Sequence, residues 1–311
     1  MRIVFMGTPD FAVPCLRELI AHKHEIAAVV TQPDRPKGRG NKLAESAVKI
    51  FARESGIAIF QPEKIKTGEF VQILRDLAPE AIIVVAFGQI LSQEILDIPP
   101  LGCINVHASL LPKYRGAAPI NWCIINGDKT TGVTAMYMDK GMDTGDIILK
   151  KEIEIGEDEN AGELHDRLSE LGASVLSETI ELLIEGKIER TPQNNEEATY
   201  APIMTKELGR IDWSRDAKDI RNLIRGTYPW PGAFSSYNGK IFKILRSQAL
   251  EDNTDGKTYG FIGSVHKDSI VVNCGGGSLK ILELQFENEK PMSVEAYLRG
   301  HTIIAGTILG K

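Results

Sequence analysis

Cysteine is scarce and scattered: Cys15, Cys103, Cys123 and Cys274 in 311 residues, none in a C-x-x-C pair. Set in apolar surroundings they read as small hydrophobes, which removes the signal for a disulfide framework or a zinc site. No run of eighteen apolar residues occurs, so no membrane span is expected. The opening MRIVFMGTPDF meets Pro9 and Asp10 too early for the apolar stretch of a signal peptide, and a cytoplasmic protein is expected. Nucleotide and metal motifs are missing as well. Gly7 stands alone where a dinucleotide fingerprint needs G-x-G-x-x-G, and there is no G-x-x-x-x-G-K-[ST], H-E-x-x-H or G-x-S-x-G. NAD, ATP, zinc-protease and α/β-hydrolase chemistry lose their sequence support, and no metal is expected.

What is there is an ordinary globular composition, 42% hydrophobic and 25% charged, in a chain long enough for two cores. The net charge of −6 is unevenly spread: residues 207–311 hold 14 Lys+Arg against 12 Asp+Glu, so the acidic excess lies in the remainder. A mildly basic C-terminal part, together with Arg35, Lys37, Arg39 and Lys42 in RPKGRGNK, could neutralise the phosphates of a polyanion. Solvated surface charge is the competing reading.

The first half alternates short Val- and Ile-rich runs with amphipathic stretches, the pattern of an open, mainly parallel sheet flanked by helices. Strands are expected at Arg2 to Gly7, Ile26 to Thr31, Ile57 to Gln61, Ala81 to Phe87 and Cys103 to Ala108. The run AIIVVA shows no polar alternation and should be a central strand buried on both faces. From Lys187 the composition turns polar and aperiodic, a linker. Beyond it, alternating runs separated by Asn238-Gly239 and the triplet Gly275 to Gly277 predict a small β-barrel. The expected organisation is an α/β domain at 1–188, a linker at 189–206 and a C-terminal domain at 207–311.

The chemistry gathers at the strand CINVHA. Side chains alternate along a strand, so Asn105 and His107 share a face near its C-terminal end, where open α/β sheets keep their sites. An amide donor beside an imidazole can bind a carbonyl oxygen as it gains charge, and the imidazole can move protons. A structural histidine is the competing reading. In DKGMDTGDI, Asp139, Asp143 and Asp146 are separated by Gly141 and Gly145, glycines that permit the turns needed to aim a carboxylate. An aspartate reaching His107 would orient it; a plain surface turn would also fit.

INVHASLLPKYRGAAPINW followed by GVTAMYMDKGMDTGDI resembles the active-site region of the 10-formyltetrahydrofolate-dependent formyltransferases. The resemblance extends to MRIVFMGTPDFAVPCL, VVTQPDRPKGRGNKL, VVAFGQIL, ATYAPIMTKELGRIDW and YPWPGAF, nearly the whole chain in order. It implies a Rossmann-like catalytic domain followed by an OB-like barrel that holds tRNA, and a catalytic trio of Asn105, His107 and Asp143. It further implies a folate-binding segment at Ser109, Leu110, Leu111 and Pro112. Thr31 to Leu43 matches the family's tRNA acceptor-end loop, which makes Arg35, Lys37, Arg39 and Lys42 the expected RNA contacts. The implied reaction moves the formyl group of 10-formyltetrahydrofolate to the α-amino group of initiator methionyl-tRNA, by a chain expected to be a monomer. The alternatives are an aminosugar nucleotide as acceptor, or a folate- or RNA-binding protein without activity. Trp213, Trp230 and Tyr228 are expected to pack rather than to stack on bases.

Overall fold

A computed structural model describes residues 1–37, 42–252 and 258–311. Along the first part of the chain run β1 (Arg2–Gly7), α1 (Val13–Ala21), β2 (Glu25–Val30), β3 (Arg35–Lys37), β4 (Lys42–Ala44), α2 (Ala47–Glu54), β5 (Ile59–Phe60) and α3 (Gly68–Asp76). There follow β6 (Ala81–Val85), α4 (Gln93–Leu96), β7 (Cys103–His107), β8 (Arg115–Gly116), α5 (Pro119–Ile125), β9 (Thr130–Tyr137), β10 (Ile147–Glu154) and α6 (Ala161–Ile184). The last part holds β11 (Tyr200–Ala201), α7 (Ala217–Thr227), β12 (Phe234–Tyr237), β13 (Lys240–Leu250), β14 (Ile262–Val265), β15 (Ile270–Asn273), β16 (Ser278–Phe286), β17 (Met292–Ser293) and α8 (Val294–Leu298). The chain divides into two compact units. One comprises Met1–Pro119, Thr130–Ile153 and His165–Ala201; the other comprises Ile120–Lys129, Glu154–Leu164 and Pro202–Lys311.

In the first unit seven strands line up as β10-β9-β7-β6-β1-β2-β5. The five from β7 to β5 are parallel, and β9 runs antiparallel to β7. Every residue of β6 is buried, as its unbroken apolar run requires. One face of the sheet, with Val4, Met6, Ile82 and Val84, packs on Phe70, Val71 and Leu74 of α3 and Ile95 of α4. On the other, Gly172 of α6 abuts Val106 of β7 and Cys15 of α1. Ser46 and Thr67 cap α2 and α3 by accepting from the amides of Lys49 and Phe70. Because β1, β2, β5, β6 and β7 are parallel, their C-terminal ends share one edge. Thr8 and Gln32 there both donate to the Phe87 carbonyl, at 3.0 and 3.2 Å, and Gln61 donates to the Gln32 carbonyl at 2.9 Å. The GTPDF turn thus ties strand ends together.

The second unit is a curled antiparallel sheet, a half-barrel in the order β12-β13-β16-β15-β14 with β17 beside β16. Asn238 and Gly239, at φ 49° and 75°, make the β12–β13 turn, and the glycine triplet joins β15 to β16. Ile220, Leu223 and Ile224 of α7 bury themselves with Phe242, Ile244, Val272 and Leu284. A Cβ at Gly275 would overlap the Ser214 carbonyl oxygen, whereas nothing lies near one at Gly300. Gly275→Ala is therefore expected to cost about 1–3 kcal/mol in chemical denaturation. Gly300→Ala should stay within about 0.5 kcal/mol of the parent.

Trp213 is buried and donates its indole N–H to Ser235 Oγ at 3.0 Å, the packing role expected of it. Trp230 and Tyr228 differ: they are 53% and 37% exposed. Each precedes a proline, Pro229 or Pro231, which biases its backbone away from the helical conformation. All four cysteines are buried thiols outside any disulfide, and burial pushes those of Cys15, Cys103 and Cys274 up to about 12, so they stay protonated. Among the described residues no helix is long and apolar enough to cross a membrane.

Candidate active site

Strand β7 is pinned between β6 and β9, with Asn105 opposite Val84 on one side and Met136 on the other. This fixes Asn105 and His107 on one face, 9% and 6% exposed. His107 Nε2 lies 3.0 Å from the Tyr114 carbonyl oxygen. A carbonyl only accepts, so Nε2 carries the proton of the neutral ring and Nδ1 is the atom left for chemistry. Nδ1 faces Asp143 Oδ2 at 3.7 Å, an ion-pair separation slightly longer than a hydrogen bond. Asp143 Oδ1 lies 3.5 Å from Asn105 Nδ2, and the Gly116 amide donates to Oδ2 at 2.8 Å. The three side chains named from sequence therefore converge, across a sequence separation that no local pattern reveals.

The glycines of DKGMDTGDI permit the tight turn through close approach and not through a left-handed backbone. Neither Gly141 nor Gly145 takes a positive φ; Asp143 itself does, at 56°. The left-handed conformation is one that aspartate tolerates better than most residues. Gly145 is needed for close approach instead, because a Cβ there would overlap the Tyr137 carbonyl at the end of β9. Asp139 accepts from the Gly141 amide and Thr144 hydroxyl at 2.9 and 2.6 Å, closing the turn locally. Asp143 alone of the three aspartates pairs with His107.

The loop after β7 is held from β9 and from within. Thr134 Oγ1 donates to the Ser109 carbonyl at 2.6 Å and accepts from the Leu111 amide at 3.1 Å. Ser109 is fully buried, its hydroxyl donating to the Lys113 carbonyl at 2.6 Å, and Leu111 packs with Met136 and Ile147. Leu110 and Pro112 are half-buried and give the segment its accessible apolar surface. Among the described residues no cluster of His, Cys, Asp and Glu could hold a metal ion.

The basic residues lie elsewhere, after β2, three strands along the sheet from β7. Where a loop was expected, β3 and β4 pair antiparallel, Arg35 opposite Ala44 and Lys37 opposite Lys42. Arg35 is exposed; the side chains of Lys37 and Lys42, and all of Arg39, lie outside the described residues. The foot of this hairpin is tied down. Asp34 accepts from Lys49 Nζ at 2.5 Å and Gln61 Nε2 at 2.8 Å, which holds its carboxyl below the usual carboxylate range. Thr31 and Ser46 share a hydroxyl hydrogen bond of 2.8 Å.

Two side chains that sequence reasoning passed over complete the site. Gln193 donates from Nε2 to the carbonyls of Asp143 and Gly145, at 2.9 and 2.8 Å. Arg115, 2% exposed, donates from Nε and Nη2 to Gln193 Oε1 at 3.1 and 2.8 Å, and from Nη2 to Asn195 Oδ1 at 2.9 Å. Arg115 lies inside the segment INVHASLLPKYRGAAPINW that carries the resemblance, its one signal. Gln193 carried none, because a polar aperiodic stretch does not announce a partner fifty residues back.

Residues 1–180 match the family described as formyl transferase, and residues 203–302 match its C-terminal domain. The methionyl-tRNA formyltransferase of Acetivibrio thermocellus is 54% identical over 311 residues, spanning 100% of each chain. That of Clostridioides difficile is 54% identical over 310 residues, again over 100% of each. Among solved structures, the N-formyltransferase from Helicobacter canadensis, in complex with folinic acid and dTDP-3-aminofucose, superposes with a TM-score of 0.66. It is 19% identical and covers 90% of this chain and 98% of its own, a likeness of fold.

Proposed function

The chain belongs to the formyl transferase family, and on that footing we propose that it transfers the formyl group of 10-formyltetrahydrofolate to the α-amino group of initiator methionyl-tRNA. The observation that carries the chemistry is the convergence of Asn105, His107 and Asp143 at the end of β7. The folate donor, when bound, supplies the formyl carbon. The half-buried Leu110 and Pro112 offer it apolar surface beside that strand end, and the amides of Leu111 and Lys113 next to them are already committed inside the protein, so the segment fits a flat heterocycle better than an anion.

The residues of the chain do the rest. Attack of the neutral amine on the formyl carbon places negative charge on the formyl oxygen, and Asn105 Nδ2, whose contact to Asp143 is long at 3.5 Å, donates to it. His107 keeps its Nε2 proton on Tyr114 and carries the mobile one on Nδ1, toward Asp143. Asp143 orients the imidazole and takes, directly or through water, the proton that the amine loses as the new C–N bond forms. As the carbonyl re-forms, the bond from the formyl carbon to N10 of the folate breaks and N10 takes the proton carried on His107 Nδ1, releasing tetrahydrofolate. The hairpin of Arg35, Lys37, Arg39 and Lys42 grips the acceptor end of the RNA, and the C-terminal unit holds its stem through phosphates.

Conversion of 10-formyltetrahydrofolate to tetrahydrofolate, followed by absorbance, tests the acceptor group. Methionyl-tRNA should drive it and deacylated tRNA should not, because only the former carries a free α-amine. Equal turnover with both would remove the amine from the reaction. RNA binding has its own signature: affinity should fall steeply with salt, and in Lys37→Ala the log–log slope should flatten by about one unit or slightly less, the loss of one phosphate contact. An unchanged slope would take Lys37 out of the interface.

A further inference from the structure

Asp143 sits in a backbone conformation that L-residues rarely adopt, and such a residue persists only where its surroundings over-determine it. Two grips do so. The Gly116 amide holds the carboxylate, and the side-chain amide of Gln193 holds the backbone on either side of Thr144, one N–H to the carbonyl of Asp143 and one to that of Gly145. Both grips lead to the same place. Gly116 follows Arg115 in the chain, and the guanidinium of Arg115 takes the other end of the Gln193 amide with two N–H groups. The planar amide is thereby fixed in orientation, oxygen to the guanidinium and nitrogen to the loop, with no freedom to flip.

We propose that Gln193 is a positioning residue for formyl transfer, acting through Asp143, with buried Arg115 as its anchor. The proposal rests on the reading that Asp143 orients His107 and takes the amine's proton. Gln193 touches neither reactant. It sets the direction of a carboxylate whose 3.7 Å separation from His107 Nδ1 leaves little tolerance, and a displacement near 1 Å at such a site costs about 100-fold in rate.

The test is a double-mutant cycle on the single-turnover rate. Gln193→Glu keeps the oxygen that Arg115 grips but turns the two N–H donors into an acceptor facing two carbonyls. In the parent chain it should lower kcat about 10- to 100-fold while leaving the donor KM within about twofold. In the Asp143→Asn background the same change should cost less than about threefold, because the group it positions has gone. Equal cost in both backgrounds, or no cost in the parent, overturns the proposal while the reading of Asp143 stands. An Asp143→Asn chain as active as the parent overturns both. Should Gln193→Glu fail to fold, Gln193→Met, of similar length and uncharged, is carried through the same cycle with the same expectations.

Discussion

Asn105→Ala is expected to lower the rate of formyl transfer by about 10²–10³, roughly 2.7–4 kcal/mol of barrier, while folate affinity changes little. The size follows from where the amide sits. Its strand is paired on both sides, so the backbone cannot shift to bring another donor in. Its Nδ2 is 3.5 Å from Asp143 Oδ1, at the limit of a hydrogen bond, which leaves the N–H free to tighten onto an oxygen that gains charge. A donor that strengthens its contact only as charge develops contributes to kcat rather than to binding. Alanine removes only the long contact to Asp143, whose carboxylate keeps the Gly116 amide, so the fold should hold and the loss should appear in the chemical step. Single-turnover rates set beside donor affinity measured by calorimetry separate the two. A variant that bound folate poorly but turned over normally once saturated would move Asn105 from catalysis to binding.

Asp143→Asn should cost about 10²–10⁴ in kcat, the range for loss of a positioned proton acceptor. Asparagine can still accept from the Gly116 amide, so the carboxamide keeps its place. What it loses is the charge facing His107 Nδ1 and the capacity to take a proton. With Nε2 bound to the Tyr114 carbonyl, the ring has no second route for that proton. A rate within about threefold of the parent would show that the proton leaves by another path, and His107 would then need a different partner.

These expectations rest on a site only part of which could be read from the chain. The strand CINVHA was legible because its apolar run and the two-residue repeat of a strand place Asn105 and His107 together without further knowledge. The sheet was legible for the same reason, although β5 is only two residues long where five were expected, since only Ile59 and Phe60 pair with β2. Asp143 needed the resemblance to select it from three aspartates, because the contact to His107 is set by how β9 and its following loop fold back on β7. Gly145 was legible as a turn glycine, because the Tyr137 carbonyl that a Cβ there would overlap lies at the β9 end of the same connection to β10. Gln193 shows the limit most clearly. Residues 189–206 look like a linker in composition, yet Thr191 bridges to Ile147, Gln193 grips the Asp143 loop, and β11 pairs with β8. Each of those bonds joins residues more than forty positions apart, which hydrophobic periodicity does not report.

The central claim concerns donor and acceptor together, and one measurement addresses both: transfer of a labelled formyl group from 10-formyltetrahydrofolate with initiator methionyl-tRNA, an aminosugar nucleotide and water competing as acceptors. The account predicts that the label appears rapidly in the tRNA and in neither competitor. Label recovered in the aminosugar nucleotide, or released as formate with the tRNA unlabelled, would contradict it.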